Sequence, residues 1–195
     1  MSSLNSSDGR LIIISSPSGG GKGTVIKRIL ELKPELCYSV SATTRAPRAG
    51  EEHGKAYHFM THEQFREMIE NDEFLEHAKY VNEFYGTPKK HILDCIENGK
   101  DIILEIEVQG AKQVKDLIPG AISIFIVPPD IEELERRLRG RGTDSEEKLI
   151  ARLERAAQEM KEKENYLHVV VNDEVDRAAN EILSIISKTN QKEGK

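Results

Sequence analysis

The residues best placed to do chemistry come early in the chain, in Ser16-Pro17-Ser18-Gly19-Gly20-Gly21-Lys22-Gly23-Thr24. They follow the apolar, β-branched run Leu11-Ile12-Ile13-Ile14 and precede a segment with Val25, Ile26, Ile29 and Leu30 on one helical face. Strand, Gly-rich turn and helix in that order are the setting of a phosphate-binding loop. Successive backbone N–H groups with little side-chain bulk wrap an anionic polyphosphate, the helix N-terminus adds its dipole, and Lys22 adds a mobile positive charge. The pattern G-x-x-x-x-G-K-[ST] is met with two departures: Ser16 stands at the first Gly, and Gly23 follows Lys22. A hydroxyl facing Mg2+ is therefore supplied either by Thr24 or by a water.

Other clusters lie downstream. Arg45 and Arg48 sit three apart in the loop-like stretch Arg45-Ala46-Pro47-Arg48-Ala49-Gly50-Glu51, and planar guanidinium forks suit a phosphate monoester. Tyr57 and Tyr85 can offer phenolic hydroxyls to the same group. Glu105 and Glu107 are two apart in a segment read as one strand, so they are expected on one face near its C-terminal end, where α/β sheets bind ligands. Arg136, Arg137, Arg139 and Arg141 concentrate positive charge in an otherwise acidic chain. The six histidines have no ligand or triad spacing.

These residues need a scaffold, and the patterning supplies one. Short buried strands are expected at Leu11–Ile14, Cys37–Ser41, Asp101–Val108, Ile122–Val127 and His168–Val171, with weaker ones near Tyr57–Phe59 and Glu76–Val81. Helices are expected over Glu63–Glu70, from Pro88 to just before Gly99, from a capping box at Asp130 and Glu133, over Glu146–Glu164, and after His168–Val171. In the helix after Asp130, the apolar face is Ile131, Leu134 and Leu138. Leu149, Ile150, Leu153, Ala156, Ala157 and Met160 are expected to face inward from Glu146–Glu164. Strands alternating with helices imply an α/β fold with a doubly wound parallel sheet. The change of pattern between Thr43 and Asn98 marks an inserted lobe.

The chain has 195 residues, 37% hydrophobic and 32% charged, enough for one globular domain with embedded lobes. A net charge of −6 disfavours nucleic acid as a partner. With no apolar run of membrane-spanning length and no signal-peptide core at the start, the expectation is a cytoplasmic protein without a membrane partner. Cys37 and Cys95 lie far apart in sequence and are read as isolated, buried, reduced thiols.

Taken together, Ser41-Ala42-Thr43-Thr44-Arg45-Ala46-Pro47-Arg48-Ala49-Gly50-Glu51 with Gly54 and Tyr57, Phe74-Leu75-Glu76, Tyr85-Gly86-Thr87, Glu105-Ile106-Glu107-Val108-Gln109-Gly110, Arg141-Gly142-Thr143-Asp144 and Val171-Asn172-Asp173 resemble guanylate kinases. The resemblance runs from about Leu11 to Ile186. It implies a P-loop NTPase-type core at 10–42, 99–130 and 155–190, a GMP-binding lobe at 43–98 and a lid at 131–154; residues 1–9, small and polar, read as a disordered N-terminus. The implied reaction is phosphoryl transfer from ATP to GMP with Mg2+. Ser16 to Thr24, Arg137, Arg141 and Asn172 would hold ATP; Ser41, Arg45, Arg48, Tyr57, Glu76, Tyr85, Thr87 and Glu107 would hold GMP. Lys22, Arg45, Arg137, Arg141 and Arg152 would offset charge on the transferring group, and Thr24 and Glu105 would lie on the metal side.

Glu76 would read the base, its carboxylate accepting from guanine N1–H and the N2 amine while Ser41 and Thr87 donate to O6. The family more often has Asp where Glu105 and Glu107 stand; Glu107 is assigned to the ribose or a Mg2+-bound water. Two alternatives are an inactive guanylate-kinase-like protein-binding module and a related kinase for a phosphorylated sugar. Lys22, Arg45 and Arg48 weigh against the first, and Glu76, Tyr85 and Thr87 against the second.

Overall fold

The computed structural model describes residues 9–80, 82–140 and 145–189. In chain order the elements are β1 (Leu11–Ser15), α1 (Lys22–Leu32), β2 (Cys37–Ser39), β3 (Ala42–Thr43), β4 (His58–Phe59), α2 (His62–Glu70), β5 (Phe74–Tyr80), β6 (Glu83–Pro88), α3 (Lys89–Glu97), β7 (Ile102–Glu105), α4 (Val108–Leu117), β8 (Ile122–Val127), α5 (Ile131–Arg139), α6 (Glu146–Glu159), β9 (His168–Val171) and α7 (Val175–Thr189). A 3-10 turn, Met160–Asn165, follows α6. A five-stranded parallel sheet has the order β2-β7-β1-β8-β9, and a separate four-stranded sheet the order β4-β3-β6-β5. This is the α/β architecture with an added lobe that the patterning predicts.

The chain forms two compact units. One contains Ile12–Leu36, Glu105–Val108 and the chain from Ile122 onward. There β1 pairs in parallel with β8, Ile12 opposite Ile122 through Ser15 opposite Phe125, and β8 pairs with β9. Every residue of β1 and β8 is buried, which is why both read as unbroken apolar runs. Val25, Ile26 and Ile29 bury one face of α1. A smaller cluster, Leu134, Leu138, Leu149 and Ala156 with Leu153 against it, holds α5 to α6.

The other unit contains Cys37–Leu104 and Gln109–Ala121, together with Arg10 and Leu11. One apolar cluster in it is Ala42, Phe65 and Phe74, with Met60, Met68, Ile69 and Phe84 packed against it. Phe65 stacks on Phe74 at 4.4 Å between centroids and on Phe84 at 5.4 Å. A full capping box starts α2: the Thr61 hydroxyl accepts from Gln64 N–H while the Gln64 side chain accepts from Thr61 N–H. Of the segment 1–9, Gly9 is described; it is buried and its N–H donates to the Ile96 carbonyl at 2.8 Å.

Several expectations need correcting. The strand read over Asp101–Val108 ends at Glu105, and Val108 already belongs to α4. Glu107 therefore lies beyond the strand, and the same-face argument for Glu105 and Glu107 fails. Cys37–Ser41 divides into β2 and the start of β3's approach. The box at Asp130 is half made: Asp130 accepts from Glu133 N–H, but the Glu133 carboxylate is taken by Arg136 and Arg137. Ile131 and Ile150 are about half exposed, at 51% and 50%, and Ala157 is exposed. The helix read to Glu164 tightens into the 3-10 turn from Met160. Cys37 and Cys95 are not isolated: burial first, and then the Cys37 thiol beside it, push Cys95 up to about 11. Cys37 is only half-buried.

Candidate active site

The phosphate loop is built by backbone. Gly19 and Gly21 have φ of 88° and 85°, left-handed values that side chains disfavour, and Gly20 N–H closes a turn on the Pro17 carbonyl at 2.9 Å. Gly21 is the N-cap of α1; no side chain caps that end and no acid lies in its first turn. The first N–H groups of α1 and its positive dipole end are thus left for an anion. A Cβ on Gly21 would come within 2.4 Å of Asn172 Nδ2.

Side chains fix the loop from outside. Asn172 is buried, and its Nδ2 donates to the Gly20 carbonyl at 2.9 Å. Arg137 Nη1 donates to the same carbonyl at 3.3 Å, its Nη2 to Asn172 O at 2.7 Å, and its Nε to Glu133 at 2.7 Å. Arg152 donates to Ser18 Oγ at 3.3 Å from Nε and 3.1 Å from Nη2. Ser16 is buried, its hydroxyl donating to the Pro17 carbonyl. Arg141 lies outside the described residues.

Lys22 opens α1 and is 9% exposed. Its Nζ donates to the Ile106 carbonyl at 3.2 Å and lies 3.4 Å from Glu107 and 3.9 Å from Glu105. The two glutamates thus converge on Lys22 although only one is in the strand, because the chain turns between β7 and α4. A Cβ on Gly23 would lie 3.8 Å from Glu105 Oε1, and Thr24 is exposed one residue on. Among the described residues no cluster of three or more His, Cys, Asp or Glu could hold a metal by itself. Two carboxylates with hard oxygen donors still fit Mg2+, which commonly takes one or two carboxylates and completes its shell with phosphate and water.

The other residues expected to hold the acceptor, Glu107 apart, form a second group in the lobe. Glu76 is 9% exposed and accepts from the Thr87 hydroxyl at 2.7 Å. β5 and β6 run antiparallel with Glu76 opposite Thr87 and Phe74 opposite Pro88, so a bulge at Leu75 brings both Phe74 and Glu76 into adjacent register. Bulges re-aim side chains in this way. Burial raises the Glu76 carboxyl above its usual range, and the Thr87 bond partly opposes that. Thr87 has one hydroxyl proton and gives it to Glu76, so it cannot donate to a base oxygen in the same geometry. Ser41 is half-buried, its carbonyl accepting from His58 N–H at 2.8 Å.

Arg45 donates to Glu51 at 2.9 Å and to the Ala46 carbonyl at 2.7 Å, and lies over the Tyr57 ring at 5.4 Å. The Glu51 carboxylate holds Arg45 above its usual value, with a smaller contribution from Tyr85. Arg45, and then the Arg48 N–H at 2.8 Å, hold Glu51 below the usual carboxylate range. Arg48 is exposed. Tyr57 and Tyr85 meet edge to face at 6.1 Å. Glu51 was given no role from sequence; its signal was the three-residue spacing Arg45, Arg48, Glu51.

Comparison with known proteins gives the family. The guanylate kinase profile matches residues 8–189. The chain is 51% identical over 178 residues to the guanylate kinase of Caldanaerobacter subterraneus subsp. tengcongensis, covering 91% of this chain and 86% of that protein. It is 47% identical over 184 residues to that of Clostridioides difficile, covering 94% and 90%. The crystal structure of guanylate kinase from Anaplasma phagocytophilum superposes with a TM-score of 0.79 at 37% identity, over 97% of this chain and 90% of that one. A phosphate loop with its lysine, a lobe with a buried carboxylate and a paired arginine, and likeness along nearly the whole length lead to one conclusion: the chain belongs to the guanylate kinase family of P-loop nucleoside-monophosphate kinases.

Proposed function

We propose that this chain, a guanylate kinase, divides the transfer of the γ-phosphate of ATP to GMP between the two groups of residues just described. ATP lies on the loop Ser16 to Thr24, with Lys22, Arg137 and Asn172 beside it and Arg141 and Arg152 completing the cationic surround. GMP lies in the lobe 43–98, its phosphate on Arg45, Arg48, Tyr57 and Tyr85 and its base on Glu76. The segments 10–42, 99–130 and 155–190 serve as the core, and 131–154 as the lid.

The observation that carries the choice of acceptor is Glu76, a buried carboxylate whose side-chain hydrogen-bond partner among the described residues is the Thr87 hydroxyl. Guanine offers it two adjacent donors, N1–H and the N2 amine, whereas adenine presents an acceptor at N1. Thr87 orients the carboxylate, and Ser41 is left as the donor for O6. Phosphoryl transfer asks the protein for positioning and charge neutralisation more than covalent chemistry. Lys22 leaves Glu105 and Glu107 for the transferring phosphate, and Arg45 exchanges Glu51 for the acceptor phosphate. No general base is required, because the GMP phosphate is already ionised. Glu105, Glu107 and the Thr24 hydroxyl, directly or through water, would hold Mg2+, which when bound supplies neutralising charge on the phosphate oxygens.

No helix among the described residues is long and apolar enough to cross a membrane; residence in the cytoplasm is part of this proposal and goes with the use of ATP and GMP. The test is a coupled assay of ADP formation with ATP against GMP, AMP, CMP and UMP. GMP is expected to be preferred by about 10⁴-fold or more over AMP, as in sites built on buried hydrogen bonds. Comparable turnover of AMP removes Glu76 as the base reader.

A further inference from the structure

Residues of α6 reach the phosphate loop from one face. Arg152, Arg155 and Glu159 are spaced i, i+3 and i+7, which places them on one side of a helix. Glu159 Oε2 accepts from the backbone N–H of Ser18 at 2.9 Å, and its Oε1 accepts from Arg155 Nε at 2.7 Å. Arg155 Nη2 in turn lies 3.9 Å from Glu107 Oε2, and Glu107 Oε1 lies 3.4 Å from Lys22 Nζ. The result is a chain of alternating charge, Glu159, Arg155, Glu107 and Lys22, that begins at the Ser18 amide and ends at the loop lysine.

One electrostatic cost makes this glutamate hard to explain as surface decoration: it sets a carboxylate directly on an anion-binding loop, and its side chain is only 11% exposed, so solvent screens it weakly. The other loop tethers, Asn172 and Arg137 on Gly20 O and Arg152 on Ser18 Oγ, are neutral or cationic. A carboxylate that works against phosphate binding by charge belongs there only if it holds geometry.

We propose that Glu159, steadied by Arg155, is a positioning residue for the ATP site: it fixes the Ser18 turn of the phosphate loop to α6 and keeps the loop's N–H groups preorganised. The inference rests on the reading that this loop binds ATP. Preorganisation lowers the ordering cost of binding, so loss of the tether acts on ATP and leaves GMP alone. A role confined to stability would weaken both ligands in proportion to unfolding, or neither.

The experiment is isothermal titration of the full chain with the β,γ-imido analogue of ATP plus Mg2+, and separately with GMP, for wild type, Glu159→Ala, Glu159→Gln, Arg155→Met and Lys22→Ala. Glu159→Ala is expected to weaken the ATP analogue by about 10- to 100-fold, the size of a lost charge-assisted bond, with the GMP constant within about twofold. Glu159→Gln keeps a carbonyl acceptor for Ser18 N–H and should recover part of the loss. Arg155→Met should show a smaller loss with the same selectivity, and it keeps the question answerable if Glu159→Ala fails to fold. Wild-type affinity for the ATP analogue in Glu159→Ala or, failing that, in Arg155→Met, while Lys22→Ala loses it, overturns the positioning role and leaves the loop assignment standing. Equal weakening of both ligands, or no recovery in Glu159→Gln, also overturns it. Full affinity in Lys22→Ala as well removes the ATP reading of the loop, and this inference with it.

Discussion

On the function proposed above, the phosphate loop and the acceptor lobe handle the same chemical group, a phosphate, by opposite means. In the loop, the anion site is made of backbone: left-handed glycines, an α-helix end without a side-chain cap, and one lysine. In the lobe, it is made of side chains, with Arg45 already held by Glu51 and lying over Tyr57. Backbone recognises phosphate without regard to what it is attached to; side chains can be aimed at a base. The loop should therefore fail when its path is altered, and the lobe when a functional group is changed.

The largest expected effect is on the loop's lysine. Lys22→Ala should lower kcat by about 10²- to 10³-fold, the range for removing a preorganised charge donor, with the protein still folded because Lys22 contacts carboxylates and a carbonyl rather than the apolar core. Near wild-type turnover in folded protein would break the comparison at once. Next is Gly21→Ala, which adds a Cβ at φ 85° and within 2.4 Å of Asn172 Nδ2. Displacing the loop by such a clash should cost about 10²-fold in kcat/KM for ATP, though no functional group is removed. Full ATP efficiency there would show that the loop's path is tolerant.

On the lobe side, Glu76→Gln should lose about 2–3 kcal/mol, or about 30- to 150-fold in kcat/KM for GMP, with the ATP KM little changed. The GMP-to-AMP ratio should narrow, and an unaltered ratio would dismiss Glu76. The pH profile sharpens the same point. Burial raises the Glu76 pKa, and guanine needs the ionised form, so the GMP KM should rise on acidification earlier than an ordinary carboxylate would require. Stability moves the other way: the folded state binds this proton more tightly than the unfolded chain, so ionisation as pH rises through the folded pKa lowers stability. Glu76→Gln should remove both trends; a GMP profile identical to wild type would assign the acid limb elsewhere. The smallest effect is expected from Glu51→Gln, about three- to fivefold in GMP KM, because a part-exposed ion pair contributes little. A loss as large as that of Glu76→Gln would mean that Glu51 touches the substrate.

What could be read from sequence divides along similar lines. The strand Leu11–Ile14, the loop and α1 are legible because their signals are local: a β-branched run, then glycines, then helical periodicity. The family blocks point to Glu76 and Arg45 through their neighbours, not through any property of a lone Glu or Arg. Helix α4 is not legible because Ile102–Ile106 is so strongly strand-like that its pattern masks the helix start at Val108. The neighbouring of Cys37 and Cys95, the grip of Glu51 on Arg45, and the contact of Glu159 with Ser18 depend on which surfaces tertiary packing brings together. In the last case 141 residues separate the partners, and no periodicity within either segment records it.

The bulge at Leu75 has a consequence for anyone who would retarget the lobe. Phe74 packs in the lobe's core against Phe65, and Gly86 across the strand pair leaves only 3.0 Å between a would-be Cβ and both rings. Glu76 takes its aim from the same irregularity. With Glu76 as the proposed base reader, packing and base choice share one stretch of backbone, and they cannot be tuned on separate dials. A library that varies Phe65, Phe74 or Gly86 for thermal robustness is also, without intending it, a library of altered nucleobase preference, and should be screened as one.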